Sequence, residues 1–182
     1  MTKLGIIGAM DQEVETLVAA MENCAAQTVA GSRFFEGTLE GLPAVVVQCG
    51  IGKVNAALCA QILCSNYQVT HLVNTGIAGS LSPELDIGDL VISQDAMYHD
   101  FDCTEFGYPY GQVPKMDTLT FPADEAMLAW AFAAAEALNP GHAKIGRVAS
   151  GDQFIASKER KDFIIEKTRA LCTEMEGTAI AQ

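Results

Sequence analysis

Basic residues are scarce in this chain. Its 182 residues carry 11 Lys and Arg against 23 Asp and Glu, a formal net charge of −12. A phosphate-backbone partner calls for a basic face, and the few cations here are dispersed, so no nucleic-acid partner is expected. Long apolar runs are also missing. No stretch approaches the roughly 18 uninterrupted apolar residues of a membrane span, so no membrane partner is expected either. The opening MTKLGIIGAMDQEVE lacks the apolar length and the small-residue cleavage site of a signal peptide. The six cysteines, Cys24, Cys49, Cys59, Cys64, Cys103 and Cys172, contain no C-x-x-C pair, and His71, His99 and His142 are scattered. No zinc site follows from such spacing. Buried free thiols in a reducing cytoplasm are the expected state of the cysteines.

What is present is apolar: 49% of the residues are hydrophobic, enough for a core at this length. Leu4–Ala9 is a short apolar run suited to a strand covered on both faces. Asp11 is placed to cap a following helix, with Val14, Leu17, Val18 and Met21 as its buried stripe. Strands are expected over 33–39 and 42–48 with Glu40-Gly41 as the hairpin turn. A helix is expected over 54–65 with Val54, Ala57, Leu58 and Ile62 inward. Further strands are expected at 71–74, from 89 toward Tyr98, at 143–149 and at 170–175. Helices are expected over 124–138, stopped by Asn139-Pro140-Gly141, over 158–169, and after Glu176. Residues 99–122 have no clear period and are rich in aromatics, Gly and Pro, which favours a functional or interfacial loop. With no internal repeat and no linker, the pattern predicts one α/β domain over 1–182, a three-layer fold with a twisted mixed central sheet flanked by helices.

Open α/β sheets take ligands at the carboxyl ends of their strands. Five polar or glycine-rich stretches sit there: residues 8–13, 50–53, 74–79, 150–155 and 174–177. The glycines do not form G-x-G-x-x-G, and GIGK is not a P-loop, so tight turns alone explain them. The carboxylates say more. Glu13 lies near a helix start, and Glu174 and Glu176, two apart, point the same way along an extended chain. A glutamate can take a proton from water or grip a sugar diol, and Phe154 can stack on a flat ring. Residue types alone leave a second reading, in which Glu13 is a solvated helix-start charge and Phe154 is core.

Read together, GIIGAMDQE (5–13), QCGIGKVNAAL (48–58), NTGIAGSL (74–81), GDLVIS (88–93), YHDFDCTEFGYPYGQVP (98–114), SGDQFI (150–155) and EMEGTAIA (174–181) resemble the bacterial 5'-methylthioadenosine/S-adenosylhomocysteine nucleosidases, of the purine nucleoside phosphorylase-like superfamily. The resemblance covers essentially the whole chain. It implies a nucleoside phosphorylase-like fold and hydrolysis of the N-glycosidic bond of 5'-methylthioadenosine, S-adenosylhomocysteine and 5'-deoxyadenosine. The products are adenine and a (thio)ribose, in methionine salvage and the activated methyl cycle, with no cofactor and no metal. It implies Glu13 as the base that activates water, Glu176 on the ribose hydroxyls, Met175 beside the sugar, and Glu174 among the substrate-binding residues. Phe154 would stack on adenine and the Ile155 backbone bind its edge. Ala78 and Gly79 would line the base pocket, and Met10 and Ile51 the nucleoside cavity. Phe106, Tyr108 and Pro114 would be lent to the neighbouring subunit of a homodimer.

Two departures stand out. Ile77 occupies a position where the family commonly has serine. The family also continues past EMEGTAIA with a strand, an aspartate that protonates purine N7, and a final helix. The expectation is therefore a C-terminally truncated domain that lacks this strand and helix and is inactive as a fragment. The rival readings are a purine nucleoside phosphorylase, which needs cationic anchors for phosphate, and a nucleoside-binding fragment without catalysis.

Overall fold

Leu4–Gly8 (β1) is apolar on both sides because it lies inside a sheet. In the computed structural model, which describes residues 2–182, β1 is followed by Asp11–Ala20 (α1), Glu22–Val29 (β2), Ser32–Leu39 (β3), Leu42–Gln48 (β4), Lys53–Asn66 (α2) and His71–Asn74 (β5). The strands pair in the order β2-β3-β4-β1-β5. β1 runs parallel to both β4 and β5, while β2, β3 and β4 form antiparallel hairpins. These elements make one of two compact units, which divide between Ile77 and Ala78. Alternate side chains of a strand go to opposite faces. Ile6 and Val46 join Val14 and Met21 on one face, with Leu17 and Val18 of α1 packed against them, so the stripe expected for α1 is the one observed. Asp11 is the first helical residue and Met10 the cap, one position earlier than the sequence suggests.

The stripe of α2 differs from expectation. Ala56, Cys59, Ala60, Ile62 and Leu63 are buried, whereas Val54 and Leu58 are 79% and 45% exposed and Ala57 is exposed. Apolar residues surround this helix, so periodicity could not choose the face; contact with the sheet did. β2 was not expected at all. Its ENCAAQTV sequence has no alternation, and as an edge strand exposed along all but Val29 it needs none. The turns from β2 to β3 and from β3 to β4 are two-residue turns with positive φ at each position, Ala30-Gly31 (51°, 88°) and Glu40-Gly41 (49°, 77°), as a turn matched to strand twist requires.

The second unit contains Gly79–Ser80 (β6), Leu90–Tyr98 (β7), Phe121–Pro122 (β8), Glu125–Leu138 (α3), Ala143–Ser150 (β9), Lys158–Thr168 (α4), Cys172–Glu174 (β10) and Gly177–Ala181 (α5). Its sheet order is β6-β10-β9-β7-β8, with β9 parallel to β7 and β10. Asp124 caps α3 and Ser157 caps α4 through side-chain acceptors. Arg147 of β9 grips Asp95 of β7 with two bonds of 2.6 and 2.8 Å and donates to the Thr168 carbonyl of α4 at 2.8 Å, tying three elements together. The α/β class with mixed sheets flanked by helices therefore holds, but the strands are shared between two five-stranded sheets where the sequence suggested one. No disulfide joins any of the six cysteines; Cys49, Cys59 and Cys172 are buried, Cys103 is half-buried, and Cys24 and Cys64 are exposed. Burial pushes the Cys172 thiol up to about 12.

The observed α2 face makes a ranking testable. Leu63 is fully buried, so Leu63→Ala is expected to cost about 2–5 kcal/mol. Leu58→Ala is expected to cost under about 1 kcal/mol. Urea unfolding measures both, and the opposite ranking would return the buried stripe to the Val54–Leu58 side.

Candidate active site

Parallel pairing in register carries strand ends to one edge. In the first unit Gly8 pairs with Gln48, and Ile7 with Asn74. The loops that leave these strands are stitched together: Cys49 N–H donates to Gly8 O (2.9 Å), Gly50 N–H to Ala9 O (3.1 Å) and Thr75 N–H to Ile7 O (2.9 Å). Glu13, half-buried in the first turn of α1, points its carboxylate into this edge. Oε2 accepts the N–H groups of Ala9 (2.7 Å) and Met10 (2.9 Å), and Oε1 accepts that of Ile77 (3.0 Å). Two of the donors come from the β1 loop and one from the β5 loop, so both oxygens are held in a fixed orientation. The carboxylate borders an opening of about 450 Å³ lined by Met10, Gln12, Glu13, Thr75, Gly76 and Ile77. This is not the solvated helix-start charge that residue types alone allow.

Gly76 is part of that arrangement. A Cβ on it would stand 2.6 Å from Oε1 and 2.8 Å from Cδ of Glu13, so the close approach of the loop to the carboxylate requires a residue without one. Ile77 gives Glu13 its main-chain N–H and leaves its side chain 76% exposed. Of the other expected residues in this unit, Met10 lines the opening and Ile51 is 56% exposed in the loop after β4.

The second unit repeats the logic. Tyr98, Ser150 and Glu174 are in register across β7, β9 and β10, so the segments that follow them leave from one edge. Gly151 N–H donates to Glu174 O (3.2 Å), and Asp152 N–H to the Asp100 carboxylate (2.9 Å). This fixes the loop that carries Phe154 and Ile155. Phe154 is 88% exposed, which overturns its reading as core, while Ile155 packs against a cluster of Leu81, Ala149, Ile164 and Ala170. Ala78 and Gly79 are exposed, and Gly79 of β6 pairs with Thr173 of β10. Phe106 lies in a single 3-10 turn with its ring 82% exposed, and Tyr108 and Pro114 are half-buried. Tyr98, buried at the end of β7 and close to Asp100 and Asp152, is pushed up to about 12, so it acts as a hydroxyl donor, here to Gln182 at 2.7 Å.

Glu174 and Glu176 do not share an extended face. The strand ends at Glu174, and Glu176 adopts φ −131°, ψ −42° as the cap of α5, so the two-residue spacing no longer aligns them. Glu176 is buried, and its carboxylate accepts the Met175 N–H at 3.3 Å. The Glu174 carboxylate accepts the Glu176 and Gly177 N–H groups at 3.0 and 2.6 Å. Sequence reading passed over Gly76, Ser150 and Thr178. Gly76 left a signal in the NTG run, whereas the other two are small polar residues with no spacing to mark them. Among the described residues no group of three His, Cys, Asp or Glu could hold a metal ion, and no helix is long and apolar enough to cross a membrane.

Mixed sheets flanked by helices, with carboxylates and glycine-rich loops at the strand ends, define an α/β protein of the nucleoside phosphorylase type. Residues 3–182 match the phosphorylase superfamily. A protein of Geobacillus kaustophilus named 5'-methylthioadenosine/S-adenosylhomocysteine nucleosidase is 44% identical over 181 residues, spanning 99% of this chain and 77% of the relative. The solved nucleosidase of the same name from Neisseria meningitidis, in complex with methylthio-immucillin-A, superposes with a TM-score of 0.96 at 37% identity and covers 100% of this chain and 79% of its own. That from Colwellia psychrerythraea, in complex with adenine, gives 0.95 at 39%, with 100% and 75% covered. The chain belongs to the 5'-methylthioadenosine/S-adenosylhomocysteine nucleosidase family of the phosphorylase superfamily.

The contact between Gly76 and Glu13 can be tested without any ligand. Gly76→Ala is expected to push the carboxylate off its three donors and to cost about 1–3 kcal/mol, as overpacking does. Adding Glu13→Ala to the same chain removes the obstructed group and is expected to restore part of that loss. Urea unfolding of both variants decides it; an undiminished loss in the double variant would show that Gly76 protects something other than the carboxylate.

Proposed function

We infer that the chain hydrolyses the N-glycosidic bond of adenine nucleosides bearing a 5'-thio or 5'-deoxy group: 5'-methylthioadenosine, S-adenosylhomocysteine and 5'-deoxyadenosine. The products are adenine and the (thio)ribose, which places the reaction in methionine salvage and the activated methyl cycle. The observation that carries this reading is the Glu13 carboxylate, oriented by three main-chain N–H groups at the mouth of an opening. A carboxylate so held is suited to taking a proton from water as it attacks the sugar carbon. Hydrolysis through an oxocarbenium-like sugar also needs an acid for the departing base, and none of the residues assigned here takes that role.

Within this reading, Glu176 grips the ribose hydroxyls and Met175 lies beside the sugar. Phe154 stacks on adenine, the Ile155 main chain reads its edge, and Ala78 and Gly79 line the base pocket. Met10 and Ile51 border the nucleoside. The exposed Phe154 ring and the buried Glu176 support these roles. The whole chain acts as a single nucleosidase domain in the cytoplasm. It pairs as a homodimer in which Phe106, Tyr108 and Pro114 of each copy close the alkylthio pocket of the other; the exposed Phe106 ring supports that pairing. Light scattering is expected to report twice the chain mass, and a monomer with full activity would defeat the lent-residue role.

Phosphorolysis is the weaker reading because three of the four arginines are already engaged. Arg147 is bound to Asp95, Arg33 lies over the Phe35 ring at 4.9 Å, and Arg160 donates to Gln153 and covers the Phe163 ring. Chromatography of products from 5'-methylthioadenosine, with and without phosphate, separates the two. Free adenine is expected in both, and Glu13→Gln is expected to slow its release by roughly 10²- to 10⁴-fold. A sugar phosphate that appears only with phosphate, or normal turnover in the variant, would sink the hydrolase reading or the role of Glu13 respectively.

A further inference from the structure

The five-residue helix α5 is too short to hold itself. An isolated helical turn is unfavourable, and the first N–H groups of any helix lack partners within it. Here each of them has one. Glu176 N–H and Gly177 N–H donate to Glu174 Oε2, Thr178 N–H donates to Ser150 Oγ at 2.8 Å, and Ala179 N–H donates to Glu176 O at 2.9 Å. The remaining bonds close the set. The Thr178 hydroxyl lies 2.7 Å from Ser150 Oγ, and Ser150 Oγ bonds Glu174 Oε1. A hydroxyl has one donor and two acceptor sites. Since the carboxylate only accepts, Ser150 donates to Glu174 and accepts both the N–H and the O–H of Thr178. All three sites of the Ser150 hydroxyl are used, and Ser150 and Thr178 are both fully buried.

We propose that Ser150, Glu174 and Thr178 form a positioning relay for Glu176, and that Glu174 belongs to this relay and not to the ribose contacts. The proposal rests on the reading of Glu176 as the carboxylate that grips the ribose. The cap residue Glu176 has its main chain set by Glu174 on one side and by the α5 turn on the other, so its side chain is presented from a fixed point. Ser150 gives the relay a second consequence. It is the last residue of β9, and the loop that carries Phe154 and Ile155 starts at the next residue. One buried hydroxyl therefore anchors the start of the base-binding loop and the helix cap that presents the ribose carboxylate. The register Ser150↔Glu174 of the parallel pair β9/β10 makes this possible. Removing the hydroxyl leaves a buried N–H, a buried O–H and a carboxylate oxygen short of a partner, which is costly in a dry interior.

The test is calorimetric titration of the full chain with the 7-deaza analogue of 5'-methylthioadenosine, whose ring carbon takes up no proton, and with adenine as a ribose-free probe. Glu176→Ala is expected to weaken nucleoside binding by about tenfold or more, with a smaller loss for adenine. Glu174→Ala is expected to do the same to the nucleoside through the lost cap. Glu174→Gln is expected to recover affinity to within about threefold, because its amide oxygen still accepts the Glu176 and Gly177 N–H groups and its NH2 donates to Ser150 once the Ser150 proton turns to the Thr178 oxygen. Ser150→Ala is expected to weaken both probes, since it loosens the loop as well as the cap. A Glu174→Gln loss as large as that of Glu174→Ala would put the charge on the ligand and overturn the proposal, even if Ser150→Ala does not fold. Unchanged nucleoside affinity in a folded Ser150→Ala chain would overturn it too. Unchanged nucleoside affinity in Glu176→Ala would instead remove the ribose reading on which the proposal stands.

Discussion

Both oxygens of Glu13 rest on main-chain N–H groups of two loops, the further donor, Ile77, lying 64 residues along the chain from Glu13, and the geometry of the first unit serves that contact. It needs the β1 loop and the β5 loop side by side, which needs β1 parallel to β5 with their ends level. It needs α1 to start at once after the β1 loop, so that the first helical turn brings Glu13 back over Ala9 and Met10. It also needs Gly76 to lack a side chain, because the carboxylate occupies the space where a Cβ would sit. Main-chain donors hold a carboxylate well because the loops that carry them are short and anchored to paired strands, and they lose no side-chain rotamer entropy on making the bond.

The second unit uses a carboxylate differently. Glu174 also collects main-chain N–H groups, but these belong to the helix that follows it, and its other oxygen is taken by a buried serine. Two acidic residues of one EME run thus have separate environments. Glu174 is spent on local structure, and Glu176 is buried at the start of a helix. In both units, parallel strands in register bring loops from distant parts of the sequence to one edge; in the first unit the gathered groups hold Glu13 at its opening, and in the second they hold each other.

Much of the fold was legible. Continuous apolar runs marked β1, β4 and β5, and caps and breakers marked α3 and α4, because these features act locally through burial on both faces and through unpaired helix-end groups. β2 was not legible, since an exposed edge strand needs no apolar pattern. The buried side of α2 was not legible either, since apolar residues lie all round it and only contact with a sheet selects Leu63 over Leu58. Of the site, Glu13 and Glu176 stood out as carboxylates in apolar surroundings, whereas Ser150 and Thr178 carry no mark in the sequence.

By itself, then, the sequence determined the α/β class, most of the elements and, through its ordered motifs, the family, because strand runs, caps and motif order are properties of short segments. The tertiary structure decided which face of α2 is buried, how the strands divide between two sheets, and that Glu174 and Glu176 part company. Each of those depends on groups far apart in the chain meeting in space. The hydrogen bond between Ser150 and Glu174 exists only once β9 and β10 are in register, and that between Ile77 and Glu13 only once β1 and β5, which lead into their segments, are.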